Sequence, residues 1–126
     1  MSLNALGLTE AAAGIRDGRL SSVELVRDCL KHIDEVDRDI NAWAFLDREY
    51  AMQQAQAADD QRKQGKPTGR LHGVPVGIKD IFDTGDMPTE LGSPVWAGRT
   101  PRQDSHAVAS LRGVRPAQIG EPNSVG

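Results

Sequence analysis

The chain has 126 residues, 38% of them apolar and only 4% aromatic, which suits a single domain whose core rests on aliphatic side chains. The net charge of −3 is spread along the chain without a basic patch, so we expect no nucleic-acid partner. No apolar run approaches the roughly 20 residues that cross a bilayer, so we expect no membrane partner. The single cysteine, Cys29, excludes an intrachain disulfide, and the N-terminus has no signal-peptide pattern. These features predict a cytoplasmic protein.

Residues 1–65 are predicted to be mainly helical. Ser21 and Glu24 stand three positions apart, the spacing of a capping box at a helix start. Behind them an apolar stripe recurs every three or four residues, through Val23, Val26, Leu30, Ile33 and Val36. This periodicity predicts an amphipathic helix that ends near Asp37.

A strand and a further helix are predicted next. Residues 41–46, "NAWAFL", form a short apolar run typical of a strand. Asp47 then caps a helix that Gly65 ends. The buried side of this helix consists mostly of alanine, at Ala51, Ala55 and Ala58, which favours close packing on another element.

Residues 66–126 predict strand, loop, helix and strand. The first strand is Val74 to Lys79, and Pro75 within it indicates a strand start or an edge position. A helix opens at Asp104 or Ser105, and 118–120 is the last strand. Helices alternating with strands predict an α/β fold with a partly parallel sheet.

Most familiar catalytic constellations are missing from the sequence. His32, His72 and His106 lie far apart, and no carboxylate accompanies them at metal-ligand spacing, so we expect no metal site. Cys29 and His32 lie beside the apolar stripe, where a structural role is expected. No glycine motif that cradles phosphate and no G-x-S-x-G elbow occurs.

Composition does not explain why the apolar run before Lys79 ends on a charged residue. If the strand runs to its end, Lys79 shares a face with Pro75 and Gly77, while Asp80 points the other way. A lysine drawn into apolar surroundings loses its charge more easily and then acts as a general base toward a hydroxyl nucleophile. The alternative is a lysine at a strand end whose amine reaches water.

The stretch "LHGVPVGIKDIFDTGDMPTELGSPVWAGRTPRQDSHAVASLR", residues 71–112, resembles the amidase signature family. The matching residues, in step with the family pattern, are Gly73, Pro75, Lys79, Asp80, Pro88, Thr89, Gly92 and Ser93. The helical opening is also similar, so the resemblance spans residues 5–112. It implies that the chain is the N-terminal part of a single amidase-type domain, with N-terminal helices and the first strands of an α/β/α mixed sheet.

The resemblance also implies a chemistry. Members of the family hydrolyse or transfer amide C–N bonds with a Ser–cis-Ser–Lys triad, and Lys79 matches the family's lysine. A serine attacks the carbonyl, a second serine relays its proton to the neutral lysine, and backbone N–H groups hold the oxyanion. No cofactor is implied, and the partner is a small-molecule amide. Thr89 and Glu90 lie in a loop near the lysine, and we expect Glu90 to be exposed to solvent.

The serines of the family do not have counterparts here. They sit in a serine- and glycine-rich segment far beyond the lysine, and the 126 residues contain no such segment. Ser93 is expected to serve loop structure, and Ser105, Ser110 and Ser124 do not match the triad positions. We therefore expect the chain alone to lack hydrolytic activity.

The tail, residues 113–126, diverges from the family. Arg115, Pro116 and Glu121-Pro122 replace residues that the family pattern expects, and Pro116 is predicted to disturb the entry to the last strand. The resulting incomplete sheet would leave its last strand with an open edge and favour self-association. One alternative function is a non-catalytic remnant or interaction module on the amidase scaffold. Another is a subunit whose missing serines come from a partner chain.

Overall fold

A computed structural model of the chain describes residues 2–113 and 117–122. A short 3-10 turn at Leu3–Ala5 precedes the first helix, and another lies at Pro94–Trp96. The regular elements in chain order are α1 (Leu8–Arg16), α2 (Ser22–Ile40), β1 (Trp43–Leu46), α3 (Arg48–Lys63), β2 (Pro75–Gly77), α4 (His106–Gly113) and β3 (Ala117–Pro122). In the described ranges no helix is both long and apolar enough to traverse a membrane.

Helix α2 begins as the sequence predicts. The Glu24 N–H donates to Ser21 Oγ at 3.1 Å, and the Ser21 N–H donates to the Glu24 carboxylate at 2.8 Å. The helix continues beyond Asp37 to Ile40, because Asn41 ends it in the left-handed region (φ 58°) and donates its N–H to the Asp37 carbonyl at 2.7 Å. The predicted end was therefore three residues early.

The main core lies between α2 and α3. Ala51 and Ala55 are fully buried, and the α2 stripe packs on them through Val26, Leu30 and Ile33. Alanines at this face let the two helix backbones approach closely. Of the three alanines predicted to be buried, Ala58 is only half-buried, and the neighbouring Asp59 is buried instead.

The three strands form one mixed sheet in the order β1-β3-β2. β3 runs antiparallel to β1 and parallel to β2. The last strand is therefore central, and the expectation that it carries an open edge is wrong: it is hydrogen-bonded on both sides. β1 and β2 are the edges of the sheet among the described residues. Pro75 begins an edge strand, as its missing N–H predicts.

A second apolar cluster joins α1 to the start of β2 and includes Ile15, Leu25 and Val74. Gly73 makes this approach possible. Its φ is +77°, and a Cβ built there would lie 3.0 Å from Ser22 Cβ. The chain thus passes over the N-terminus of α2 just before it enters β2.

Two predictions about the second half need comment. The strand predicted to end at Lys79 ends at Gly77, because the chain turns directly afterwards. The strand predicted at 118–120 is part of β3. The predicted effects of Arg115 and Pro116 lie outside the described residues.

Candidate functional site

Lys79 lies two residues beyond the end of β2. Val74 and Ile78 are 5% and 6% exposed, whereas the Lys79 side chain is exposed and Asp80 is only 3% exposed. The Lys79 carbonyl accepts the N–H groups of Ile81 at 2.8 Å and Phe82 at 3.1 Å. Residues 79–82 therefore form a tight turn that carries the lysine at the sheet edge.

The buried Asp80 carboxylate connects this turn to a distant part of the loop. Its Oδ1 accepts the N–H of Glu90 at 2.8 Å, and its Oδ2 accepts the N–H of Gly92 at 3.3 Å. Asp80 is thus engaged by backbone donors, whereas Lys79 is exposed; the alternation of the two side chains predicted for a strand does not apply, because β2 ends at Gly77.

Arg99 and Thr89 hold the same two segments together. The Arg99 guanidinium binds Asp83 in a bidentate ion pair, at 2.7 and 2.9 Å, and also donates to the Thr89 carbonyl. This hydrogen-bonded pairing with Arg99 holds the pKa of Asp83 below its usual range. Thr89 is fully buried, and its hydroxyl donates to the Phe82 carbonyl at 3.4 Å.

A second polar network anchors the loop to α3 and α4. Arg112 contacts Asp86 and Asp104, each at 2.6 Å, and the Tyr50 hydroxyl donates to Asp86 at 2.6 Å. The Gly85 N–H donates to Asp104 at 2.8 Å. Burial raises the pKa of Asp104, but the hydrogen bonds from Gly85 and Arg112 outweigh burial and leave that pKa below its ordinary value. Sequence reasoning missed this network because its members come from three elements.

Apolar side chains stand exposed on the same segments. Two follow Lys79 in its turn, and three lie on the segment bound by Asp80 or directly after it. They are between 38% and 84% exposed. These side chains, here called the apolar patch, are Ile81, Phe82, Leu91, Val95 and Trp96.

Glu90 is half-buried rather than exposed, so the expectation of a solvent-exposed glutamate is wrong. Its carboxylate accepts the Gly98 N–H, and its own N–H is bound by Asp80. Glu90 therefore serves the loop's internal structure. Nothing in the local sequence signals this role, because Gly98 lies eight residues away.

The amidase family model matches residues 24–122, more than half of the chain. This chain belongs to the amidase family. The matched range includes β2, Lys79 and all the loop residues described above. The resemblance that the sequence motif carries is thus confirmed, and the mixed sheet flanked by helices agrees with the α/β fold of the family.

Similar proteins of this amidase family are about four times as long. The chain is 36% identical over 124 residues to a glutamyl-tRNA(Gln) amidotransferase subunit of Streptomyces avermitilis, covering 97% of this chain and 25% of that protein. It superimposes on the peptide amidase of Stenotrophomonas maltophilia with a TM-score of 0.86 at 29% identity, covering 94% of this chain and 25% of that one. Fatty acid amide hydrolase shares the fold, with a TM-score of 0.90 at 23% identity over 98% of this chain and 22% of that one. The chain therefore spans about a quarter of the length of the relatives it matches.

Two of the serines that do not match the triad, Ser93 and Ser105, hydrogen-bond the backbone of this amidase-family chain. Ser93 Oγ accepts the Val95 N–H at 3.3 Å at the start of a 3-10 turn. Ser105 Oγ accepts the Val108 N–H at 3.4 Å and starts α4. Ser110 is exposed on α4, and Ser124 lies outside the described residues. Among the described residues, neither Ser93, Ser105 nor Ser110 forms a hydrogen bond with Lys79.

The histidines are dispersed in the structure as in the sequence. His32 and His106 are exposed, and His72 is buried with its Nε2 2.7 Å from the Ala58 carbonyl oxygen. Across residues 2–113 and 117–122, no group of three or more metal-ligating side chains is gathered. Cys29 is half-buried in the second core cluster, and burial raises the pKa of its thiol. These environments do not favour a reactive thiolate.

Proposed function

We propose that this chain provides the lysine-bearing part of a cytoplasmic amidase that hydrolyses the C–N bond of a small-molecule amide. Lys79 is the general base of a Ser–cis-Ser–Lys triad. The single observation that carries the proposal is the state of Lys79: an exposed amine on a firmly held turn at the edge of the sheet, inside the matched range. Within residues 2–113 this amine takes part in no ion pair, so it can contact the relay serine of the proposed triad.

The proposed reaction follows from a neutral Lys79 amine. The Oγ of the nucleophilic serine attacks the amide carbonyl and gives its proton to the relay serine. The relay serine in turn gives its own proton to the Lys79 amine. Collapse of the tetrahedral intermediate breaks the C–N bond, and the leaving amine takes the proton back through the same relay. Water then hydrolyses the acyl-serine ester with Lys79 again as base, which restores the free serine.

The apolar patch supports this role. A lysine base works when its surroundings disfavour the ammonium ion, but the described residues leave Lys79 exposed. Covering Ile81, Phe82 and Leu91 with further amidase structure would exclude water from the base. We therefore propose that the 126 residues alone lack hydrolytic activity and that Lys79 acts only in a completed site.

A chimera tests the proposal. Residues 24–122 replace the matched segment of the Stenotrophomonas maltophilia peptide amidase, and labelling by a fluorophosphonate reports an activated serine whatever the amide substrate. We expect the chimera to be labelled and its Lys79→Ala variant to lose at least about 100-fold in labelling rate. The exposed lysine variant Lys63→Ala is the matched control.

The unfused chain is assayed in parallel for ammonia release from simple amides. Release above that of its Lys79→Ala variant would refute the proposed inactivity of the chain alone. A folded chimera, verified by its cooperative thermal unfolding, that is labelled no faster than its Lys79→Ala variant would contradict the catalytic role. That outcome would favour the non-catalytic interaction module.

A further inference from the structure

Asp80 stands beside the proposed base but on the opposite side of the chain. It is 3% exposed, whereas Lys79 is exposed. A buried carboxylate is costly unless its oxygens are hydrogen-bonded. Within residues 2–113 Asp80 takes part in no ion pair, so backbone donors stabilise its carboxylate instead.

Both carboxylate oxygens are used, and they reach across the loop. Oδ1 lies 2.8 Å from the Glu90 nitrogen and Oδ2 lies 3.3 Å from the Gly92 nitrogen. The two donors flank Leu91, so one side chain holds a three-residue segment at both ends. Glu90 lies ten positions after Asp80 in the sequence, so these bonds fix the relative position of two segments that local chain geometry does not determine.

The segment held in this way has an unusual backbone. Leu91 and Gly92 are both in the left-handed region, with φ +57° and +65°. A branched residue such as leucine rarely adopts this conformation, which persists only where the surroundings over-determine it. The Ser93 N–H donates to the Glu90 carbonyl at 3.1 Å and closes the turn, while Asp80 anchors it from outside.

The other end of the connection is the turn of Lys79. The Lys79 carbonyl already accepts two N–H groups, so its peptide plane has little freedom. The hydrogen bonds of the next residue, Asp80, attach this turn to a second segment of the loop.

We propose that Asp80 is a positioning residue for Lys79: its carboxylate fastens the turn of the base to the Glu90–Gly92 segment and so fixes the direction in which Lys79 leaves the sheet. The importance of that direction for catalysis rests on the proposed function. The fastening itself is a property of the 126-residue chain and is tested without any activity.

The test is NMR spectroscopy of the uniformly labelled chain and its Asp80→Asn variant. The amide group keeps the shape of the carboxylate but can offer only one acceptor oxygen. We expect hydrogen exchange at Glu90 and Gly92 to accelerate at least about tenfold. We expect the order parameter of the Lys79 backbone amide to fall from about 0.85 to below about 0.6. The other lysines, Lys31, Lys63 and Lys66, serve as internal references that should not change.

Asp83→Asn is the matched control, since it removes a carboxylate directly after the turn at 79–82 and leaves the two hydrogen bonds of Asp80 in place. We expect Lys79 to keep its order in this variant. Faster exchange at Glu90 and Gly92 with unchanged order at Lys79 would reduce Asp80 to a loop anchor and overturn the proposal. An equal loss of Lys79 order in both variants would overturn it as well.

A measurement on the unaltered chain covers the case in which Asp80→Asn does not fold. The through-bond scalar coupling between the Glu90 amide nitrogen and the Asp80 carboxyl carbon is expected to be detectable, because a 2.8 Å hydrogen bond transmits it. Its absence would overturn the proposal. Because none of these readouts uses the chimera, failure of the fastening and failure of the proposed amidase function give different results.

Discussion

Asp59, on α3, caps the N-terminus of α2 by accepting the N–H of Ser22 at 2.8 Å. The same carboxylate accepts the Val23 N–H at 3.0 Å, and Asp59 is only 2% exposed. Helix N-termini favour negative charge and leave N–H groups without intrahelical partners. One side chain therefore satisfies two of these donors and joins the two main helices.

Replacing Asp59 is expected to be strongly destabilising. Asp59→Ala leaves two N–H groups without their acceptor, at least one of them buried, and removes the charge at the helix end, so we expect a loss of about 2–4 kcal/mol in the free energy of unfolding. Urea denaturation followed by circular dichroism measures it. The adjacent exposed Asp60→Ala is the control, and equal losses for the two variants would show that the cap contributes nothing.

The Asp83–Arg99 pair predicts a pH dependence. The guanidinium lowers the pKa of Asp83 from its ordinary value of 3.8, so the pair's contribution is fully present above that value and is lost as the pH falls through the lower, folded-state pKa. We expect the urea midpoint to fall less between about pH 6 and pH 2 in Arg99→Met than in the unaltered chain. The exposed Arg102→Met serves as control, and a pH profile for Arg99→Met that matches it would contradict the prediction.

Tyr50 gives a direct optical reading of the second network. Burial is the larger cause, and the hydrogen bond to Asp86 the next, of a phenol pKa raised above the ordinary value of 10. It is the only tyrosine in the sequence, so the absorbance of tyrosinate near 295 nm reports it alone. We expect the Tyr50 phenol to titrate above about pH 10, and we expect the midpoint of its titration to shift to lower pH in Asp86→Asn. With Asp60→Asn as control, an unshifted titration in Asp86→Asn would show that the bond to Asp86 does not influence the phenol.

Lys79 is expected to matter for chemistry and not for stability. Its exposed side chain predicts that Lys79→Ala changes the free energy of unfolding by less than about 0.5 kcal/mol. Chemical denaturation beside Lys63→Ala provides the comparison. A loss above about 1 kcal/mol in Lys79→Ala alone would assign the lysine a structural role and weaken its proposed catalytic one.

Local signals predicted the helices well. The capping box of Ser21 and Glu24 and the stripe of Val26, Leu30 and Ile33 act over one to four turns, so their effect is readable along the chain. The strand before Lys79 and the family motif were readable for the same reason. The length of that strand could not be read from the sequence, since the turn at 79–82 is bound to a segment ten residues further on.

The sequence by itself determined where α2 and α3 start, the α/β class, the family and the identity of Lys79 as the candidate base. The tertiary structure alone decided that β3 lies between β1 and β2, that Asp59 and Asp80 are buried, and that Glu90 closes its own loop. The physical reason is that each of these outcomes depends on hydrogen bonds between segments that lie apart in the sequence. A buried carboxylate is stable only where backbone donors from another segment meet it, and no local pattern announces which segment will do so.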